Sequence, residues 1–315
     1  MSDYFIKHFI VIEINNEPDA KDAVLNEEGI QLLCFFCQKG VIMIIDTHVH
    51  IGGEAMGFHM NEAIVMEAME KYGIDFSIVS NADAGEVDHK QKLIPQHLQI
   101  SQEDSLRRTI QFARKYPGKI GVAPWVKPLT QGITKEFEEM VYANQDIICA
   151  IKLHPYHSHI APTDKSVLPY IELAEKVNVP VVSHTGNSDD DAPERLYEAA
   201  KLFPKVPFVM VHMGLGTDNK KALELLGKAD NLYGDTSWVP MQTTIEAIRT
   251  YGSKRIMFGS DMPIDGVDTY LHNPQGERSL YQDYFYKLPK LITPKEYDDL
   301  MFQNAMRVFK LDYVM

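Results

Sequence analysis

The sequence predicts an α/β protein, a (β/α)8 barrel preceded by a short N-terminal extension. Three observations lead there. From about Val41, short β-branched or apolar runs alternate with longer amphipathic stretches of helical spacing. Eight such strand–helix pairs can be counted, which implies a parallel sheet whose faces are covered by helices. The span from Met43 to Met315 is close to the ~250 residues typical of a closed barrel. A doubly wound open sheet gives the same alternation, so the positions of the polar residues must decide closure.

The strands are expected at Val41–Asp46, Phe76–Asn81, Ile120–Val126, Ile147–Leu153, Val179–His184, Pro207–His212, Asn231–Asp235 and Arg255–Ser260. Helices are expected near Asn61–Tyr72, Gln102–Tyr116, Thr134–Ala143, Lys165–Val177, Pro193–Phe203, Asp218–Leu226, Met241–Tyr251 and Thr293–Phe309. Pro193 and Pro294 suit a first helical position and Thr293 an N-cap, while Gly73, Gly118, Gly227 and Gly252 follow helix ends. The domain reading is therefore an extension over 1–42 and a barrel over 43–315. The extension either adds a strand and short helix under the barrel floor or is loosely attached, and the second reading is preferred because Met43 lies near the natural start of the first strand. The segment 264–290 carries Tyr270, Tyr281, Tyr284, Phe285 and Tyr286. It reads as a substrate lid, a homodimer contact, or an aromatic cluster packing a long loop onto the body.

Composition narrows the function classes. Acidic side chains outnumber basic ones 44 to 31, a net charge of −13 that disfavours a nucleic-acid partner. The longest apolar runs, Val41–Ile45 and Leu32–Cys37, fall far short of the ~20 residues that span a bilayer, so no membrane partner is expected. Three cysteines make no disulfide framework, and Met1-Ser2-Asp3-Tyr4 lacks a secretory start; the expected location is cytoplasmic. Cys34 and Cys37 form a lone C-x-x-C in an apolar stretch and read as buried thiols.

The 12 histidines carry the chemical signal through their distribution. His48-Val49-His50 directly follows the first expected strand, and residues two apart on a strand share a face. One H-x-H alone is weak, since His157-Ser158-His159 is a second in what reads as a loop. Recurrence adds the weight: His184 ends the fifth strand, His212 the sixth and Asp261 the eighth. Such residues would be unrelated in an open sheet but converge at the C-terminal rim of a closed barrel. Lys152 and His154 end the fourth strand on a shared face. Lys152 reads as a partner for a substrate carboxylate, a metal bridge if carbamylated, or a lysine paired with a carboxylate inside the barrel. His154 reads as a substrate contact, an orienting group or a structural residue. Asp235 either orients an imidazole from behind or caps the next turn.

At these residues the sequence resembles the amidohydrolase superfamily, in particular its amidohydrolase-related group of metal-dependent TIM-barrel hydrolases and carboxymuconate-semialdehyde decarboxylase-like enzymes. The resemblance rests on Ile45-Asp46-Thr47-His48-Val49-His50-Ile51-Gly52, Ile151-Lys152-Leu153-His154-Pro155, Val182-Ser183-His184-Thr185-Gly186, Val211-His212-Met213-Gly214 and Phe258-Gly259-Ser260-Asp261-Met262-Pro263. It implies that His48, His50, His184 and Asp261 hold one divalent ion, Zn²⁺ first, with Mn²⁺, Fe²⁺ or Ni²⁺ also suited. It implies further that His212 touches the bound water or substrate and that Asp261 accepts the water's proton. Lys152 and His154 are the substrate-binding candidates. Dinuclear relatives bridge two ions with a carbamylated lysine or a glutamate, whereas Lys152 sits in a Lys-x-His-Pro motif of the mononuclear kind. The expected function is hydrolysis of a small carbonyl compound (amide, ester or lactone), the alternative a non-oxidative decarboxylase acting on a small, anionic carboxylic acid. A metal-stabilised barrel used only for binding is a third reading, against which the extra polar groups at the mouth argue.

Overall fold

The first strand shows how closely these residues determine their own position. Ile45–Ile51 (β1) is buried along its whole length, with a parallel strand on one side and a parallel bridge from Val49 to Met262 on the other. The structure, a computed structural model, describes residues 43–264 and 282–311. The readings placed on residues 1–42, on Tyr270 and on Tyr281 lie outside the described residues.

Strand and helix alternate as the spacing predicts. After β1 come α1 (Glu62–Tyr72), β2 (Phe76–Asn81), α2 (Gln102–Lys115), β3 (Ile120–Val122), α3 (Lys135–Ala143), β4 (Ile151–Leu153), α4 (Leu168–Val177), β5 (Val181–His184) and α5 (Pro193–Leu202). These are followed by β6 (Phe208–Val211), α6 (Lys220–Leu226), β7 (Leu232–Asp235), α7 (Met241–Tyr251), β8 (Ile256–Met257), α8 (Pro294–Asp298) and α9 (Asn304–Phe309). The side chains of Asn61, Ser101 and Thr134 accept from the first-turn amides of α1, α2 and α3, and Thr293 with Glu296 closes a capping box on α8.

Parallel ladders run β1-β2-β3 and β4-β5-β6-β7-β8. Parallel bridges Val122↔Ile148 and Trp125↔Lys152 join the third strand to the fourth. On the other side the chain after β8 pairs with β1: Thr47 N donates to Phe258 O (3.1 Å), His50 N to Met262 O (2.8 Å) and Asp261 N to His48 O (2.9 Å). The ring of strands is thus closed, and the fold is a TIM barrel. The core has two shells. Ile45, Phe76, Ile78, Val182, Val209, Val211 and Met257 meet Val308 and Phe309 of α9 in one cluster inside the barrel. Val49, Ile51, Val122, Ile151, Phe208 and Met210 pack against the helices outside it.

β3 and β4 are shorter than the sequence reading, at three residues each, and three further elements differ from it. First, β1 runs through His48 and His50 rather than ending before them, because an irregularity in its pairing keeps the strand in the sheet. Asp46 pairs with Ser77 and Val49 with Val79, so β1 holds one more residue than β2 between those pairs. Second, β8 is only Ile256–Met257; beyond it the Phe258 amide leaves the ladder and donates to Leu300 O (2.9 Å). Third, the helix expected over Thr293–Phe309 contains a π-helical turn at Asp299–Gln303 that divides α8 from α9. In the aromatic segment, Tyr284 is buried and shares a hydrogen bond with the Thr244 hydroxyl (2.6 Å), while Phe285 packs on Tyr72 and Phe258. Tyr284 and Phe285 thus pack onto the body, whereas Tyr286 is exposed.

Candidate metal centre and active site

The strands deliver their polar residues to the barrel mouth by two routes. Ala150 and Val182 point into the barrel, and simple alternation carries Lys152, His154 and His184 inward after them. The others need a break in that alternation. Ile45 is inside while Val49 and Ile51 are outside, so without the extra residue in β1 both His48 and His50 would face the helices. His212 would likewise follow Phe208 and Met210 outward, but its backbone is left-handed (φ 66°), as is that of Asp261 (φ 63°) and Trp238 (φ 58°). Left-handed backbone at non-glycine residues costs energy, and its concentration here is typical of a functional site.

The imidazoles and one tryptophan form a closed collar. Successive ring centroids are 4.7 Å apart from His48 to His50, 5.6 Å to Trp125, 4.5 Å to His154, 4.3 Å to His184, 4.9 Å to His212 and 5.1 Å back to His48. All of these rings except His48 line a cavity of about 320 Å³, to which Phe58, Tyr156, His157, Trp238 and Asp261 also contribute.

Hydrogen bonds from behind fix which nitrogen each ring presents. His48 Nδ1 meets Asp235 Oδ2 at 3.0 Å, and a carboxylate can only accept, so Nδ1 carries the proton and Nε2 the lone pair. His212 Nδ1 faces the Ser237 carbonyl at 3.2 Å, which leaves its Nε2 bare in the same way. Asp235 also accepts from the His212 amide (2.9 Å) and from the amide of Ser237 (3.2 Å), so it both orients an imidazole and caps the following turn. His50 Nδ1 is held by the Ser80 hydroxyl at 2.9 Å. In front, His48 Nε2 lies 2.8 Å from His50 Nε2, and Asp261 Oδ1 lies 3.3 Å and 3.0 Å from these two atoms. The ligand atoms of His48, His212 and Asp261 lie within 4.8 Å of one another.

Electrostatics agree with this geometry. Burial pushes the pKa of His212 down to about 3, and those of His48 and His154 well below the usual imidazole value, so these rings are neutral. Burial would raise Asp261, but the His50 hydrogen bond and the surrounding imidazoles hold it at about 2. Burial, with the Asp261 charge beside it, raises Asp235 against its hydrogen bonds and the pull of Lys152. Bare imidazole nitrogens converging on an ionised carboxylate, each backed by an acceptor or hydroxyl, are a donor set that fits a divalent cation.

Lys152 is buried beside this cluster. Its Nζ meets His48 Nε2 at 3.2 Å rather than a carboxylate, and burial lowers its pKa to about 8 against the pull of Asp261 and Asp235. It does not line the cavity, whereas His154 does. His184 turns Nε2 toward Asp191 at 3.4 Å.

Several residues at the mouth carried no signal in the sequence. Both of the chain's two tryptophans are here: Trp125 stacks on His154, and Trp238 donates Nε1–H to Asp261 Oδ2 at 2.8 Å. His157 belongs to the H-x-H set aside as a loop. Its Nδ1–H donates to Val87 O (2.7 Å), so its Nε2 is an acceptor on a residue lining the cavity, while His159 lies in contact with exposed Gln91. The scarcity of tryptophan was the one available hint.

The sequence of the amidohydrolase family matches residues 45–311. This chain belongs to the amidohydrolase family. No curated protein is a recognisable relative by sequence. Among solved structures, this amidohydrolase is similar to a 5-carboxyvanillate decarboxylase from Novosphingobium aromaticivorans with bound manganese and a nitrobenzoic acid. The TM-score is 0.64 at 10% identity, covering 87% of this chain and 98% of that one. It is similar to a dihydroxybenzoic acid decarboxylase from a Polaromonas species with manganese and 2-nitroresorcinol (TM-score 0.61, 15% identity, 86% and 98% covered). It is also similar to a probable 2-pyrone-4,6-dicarboxylic acid hydrolase from Acinetobacter baumannii with citric acid bound (TM-score 0.58, 13% identity, 85% and 99% covered). These identities establish the shared fold. The chain is an enzyme of this superfamily, and no helix among the described residues is long and apolar enough to cross a membrane.

Proposed function

We propose that this protein is a metal-dependent decarboxylase of small aromatic carboxylic acids. The observation that carries this reading is the collar of flat rings around a cavity of about 320 Å³, with the Lys152 ammonium buried behind it. That volume lies at the small end of ligand pockets, roughly 300–1,000 Å³. Ring-lined walls favour a planar substrate, and a buried cation favours an anionic one. Manganese and aromatic acids in the decarboxylase neighbours support it.

His48, His50, His184 and Asp261 are the proposed ligands of one divalent ion, Zn²⁺ or Mn²⁺, with His212 beside the reacting atoms. When bound, the ion supplies positive charge that stabilises negative charge developing on the substrate. The remaining work belongs to the chain. The collar orients the substrate ring, with His154 as its substrate-facing member. Lys152 adds a cationic field behind the cluster. In the reaction the bond from ring carbon to carboxylate breaks, CO₂ departs, and the ring carbon takes a proton that comes from solvent; the bare Nε2 of His212 and the Asp261 carboxylate, which line the cavity, are the proposed acceptors that pass it on. The Trp238 hydrogen bond keeps the Asp261 carboxylate turned toward the mouth.

Hydrolysis of a planar lactone is the second reading, favoured by the likeness to the pyrone hydrolase, whose dicarboxylic acid is also flat and anionic. Metal analysis of the purified protein followed by a panel of hydroxybenzoates and lactone acids separates the two. Release of CO₂, with one solvent deuterium entering the ring in D₂O, is expected. Acid release without CO₂ overturns the decarboxylase reading in favour of the hydrolase.

A further inference from the structure

The loop after β5 carries a carboxylate that no motif singles out. Asp191 is 1% exposed, and its Oδ1 accepts from both the amide and the hydroxyl of Ser188, each at 2.7 Å. The Asp191 carbonyl accepts from the Gly186 amide at 2.8 Å, so residues 186–191 fold back on themselves. Its other carboxylate oxygen, Oδ2, is buried without a hydrogen-bond partner and lies 3.4 Å from His184 Nε2. Gly186 makes the approach possible, since a Cβ there would sit 2.5 Å from Asp191 Oδ2. On the same imidazole the second nitrogen, His184 Nδ1, is also buried without a partner.

Only one of the two neutral tautomers avoids setting a lone pair against the carboxylate. With the proton on Nε2, His184 presents an N–H to the carboxylate, and Nδ1 keeps a lone pair on the side of the ring turned away from Asp191. The other tautomer would set a lone pair against a carboxylate oxygen and bury an N–H with no acceptor, two faults that both oppose it. His48 and His212 are fixed the opposite way, with the proton on Nδ1.

We propose that Asp191 is a positioning residue that holds His184 as its Nε2–H tautomer, so that Nδ1 is the atom His184 offers to the metal ion. This rests on the reading of His184 as a ligand. Gly186 is the second part of the device, because any side chain there displaces the carboxylate.

The test uses the full chain. Nitrogen NMR of the metal-free protein with labelled histidine reads the tautomer of His184 directly, and competition with a chromogenic chelator gives the Zn²⁺ and Mn²⁺ affinities. A protonated Nε2 with bare Nδ1 is expected in the wild type. Asp191→Asn, which keeps the size of the side chain, is expected to lose that preference and to bind metal about 10–100-fold more weakly. Gly186→Ala should reproduce the loss. A His184 protonated on Nδ1 in the wild type overturns the proposal whether or not the variants fold. Unchanged metal affinity in a folded Asp191→Asn overturns it equally. A wild type that binds no metal would instead sink the reading of the site as a metal centre, while the NMR result on Asp191 would still stand.

Discussion

The floor and the mouth of this barrel are built on the same strands and are almost equally dry, yet they are chemical opposites. At the floor, Ile45, Phe76, Val182, Val209 and Met257 close on Val308 and Phe309, a contact that needs no charge or hydrogen bond. At the mouth, His48, His50, Lys152, His184, His212, Asp235 and Asp261 are each no more than 6% exposed. Burying ionisable groups opposes folding unless something compensates them. The difference teaches that stability in this fold comes from one end and is given up at the other, where an unfavourable crowd of donors is held ready.

The comparison can be broken most forcefully at the mouth. Removing the metal with a chelator, or substituting Asp261→Asn, is expected to lower turnover by about a thousandfold, roughly 4 kcal/mol; compared as metal-free proteins, the variant is expected to melt at the same or a higher temperature than the wild type. Re-addition of Zn²⁺ or Mn²⁺ should restore the chelated wild type and not the variant. Parallel losses of melting temperature and turnover would show that the mouth is structural.

The converse substitution is next in size. Phe309→Ala empties part of the floor and is expected to cost about 3–5 kcal/mol of stability, read from denaturant unfolding, with metal content per folded molecule unchanged. Loss of metal at constant stability would contradict the division.

Acid should then act on the mouth. Burial keeps His157 neutral down to about 4, below its ordinary 6.5, so between those values the unfolded chain binds the proton first. Stability is therefore present above about 6.5 and is lost as pH falls toward 4; about 2 kcal/mol from His157 is already gone at pH 5. A melting temperature that drops from pH 7 to 5, with a shallower drop in His157→Phe, is the expected observation. A flat profile would mean that the ring takes its proton without cost.

The smallest effect is expected at the rim. Trp238 is 45% exposed, so Trp238→Phe should leave stability unchanged but remove the hydrogen bond to Asp261, with about a tenfold loss of turnover. No change would show that Asp261 needs no holding from that side.

Part of this organisation was legible in the linear chain. The alternation of strand and helix, the cap at Thr293 and the recurrence of His184, His212 and Asp261 after apolar runs are local patterns, and local backbone preference enforces them. Lys152, His154 and His184 reach the mouth by plain alternation, so period 2 suffices to place them. Trp125, Trp238 and His157 were invisible because their contacts depend on partners far along the chain, such as Val87 for His157.

What the sequence determined by itself is the set of elements and the identity of the groups at their ends, because these follow from residue-by-residue conformational preference and side-chain chemistry. What only the tertiary structure decided is direction. Nothing in the order of residues reveals the extra residue in β1 that turns His48 and His50 inward, or the left-handed backbone at His212 and Asp261. Those at β1 and Asp261 are held where the closed ring brings β1 against the chain beyond β8, and that at His212 by its amide bond to Asp235, contacts absent from any single segment that hold backbone conformations local preference would reject.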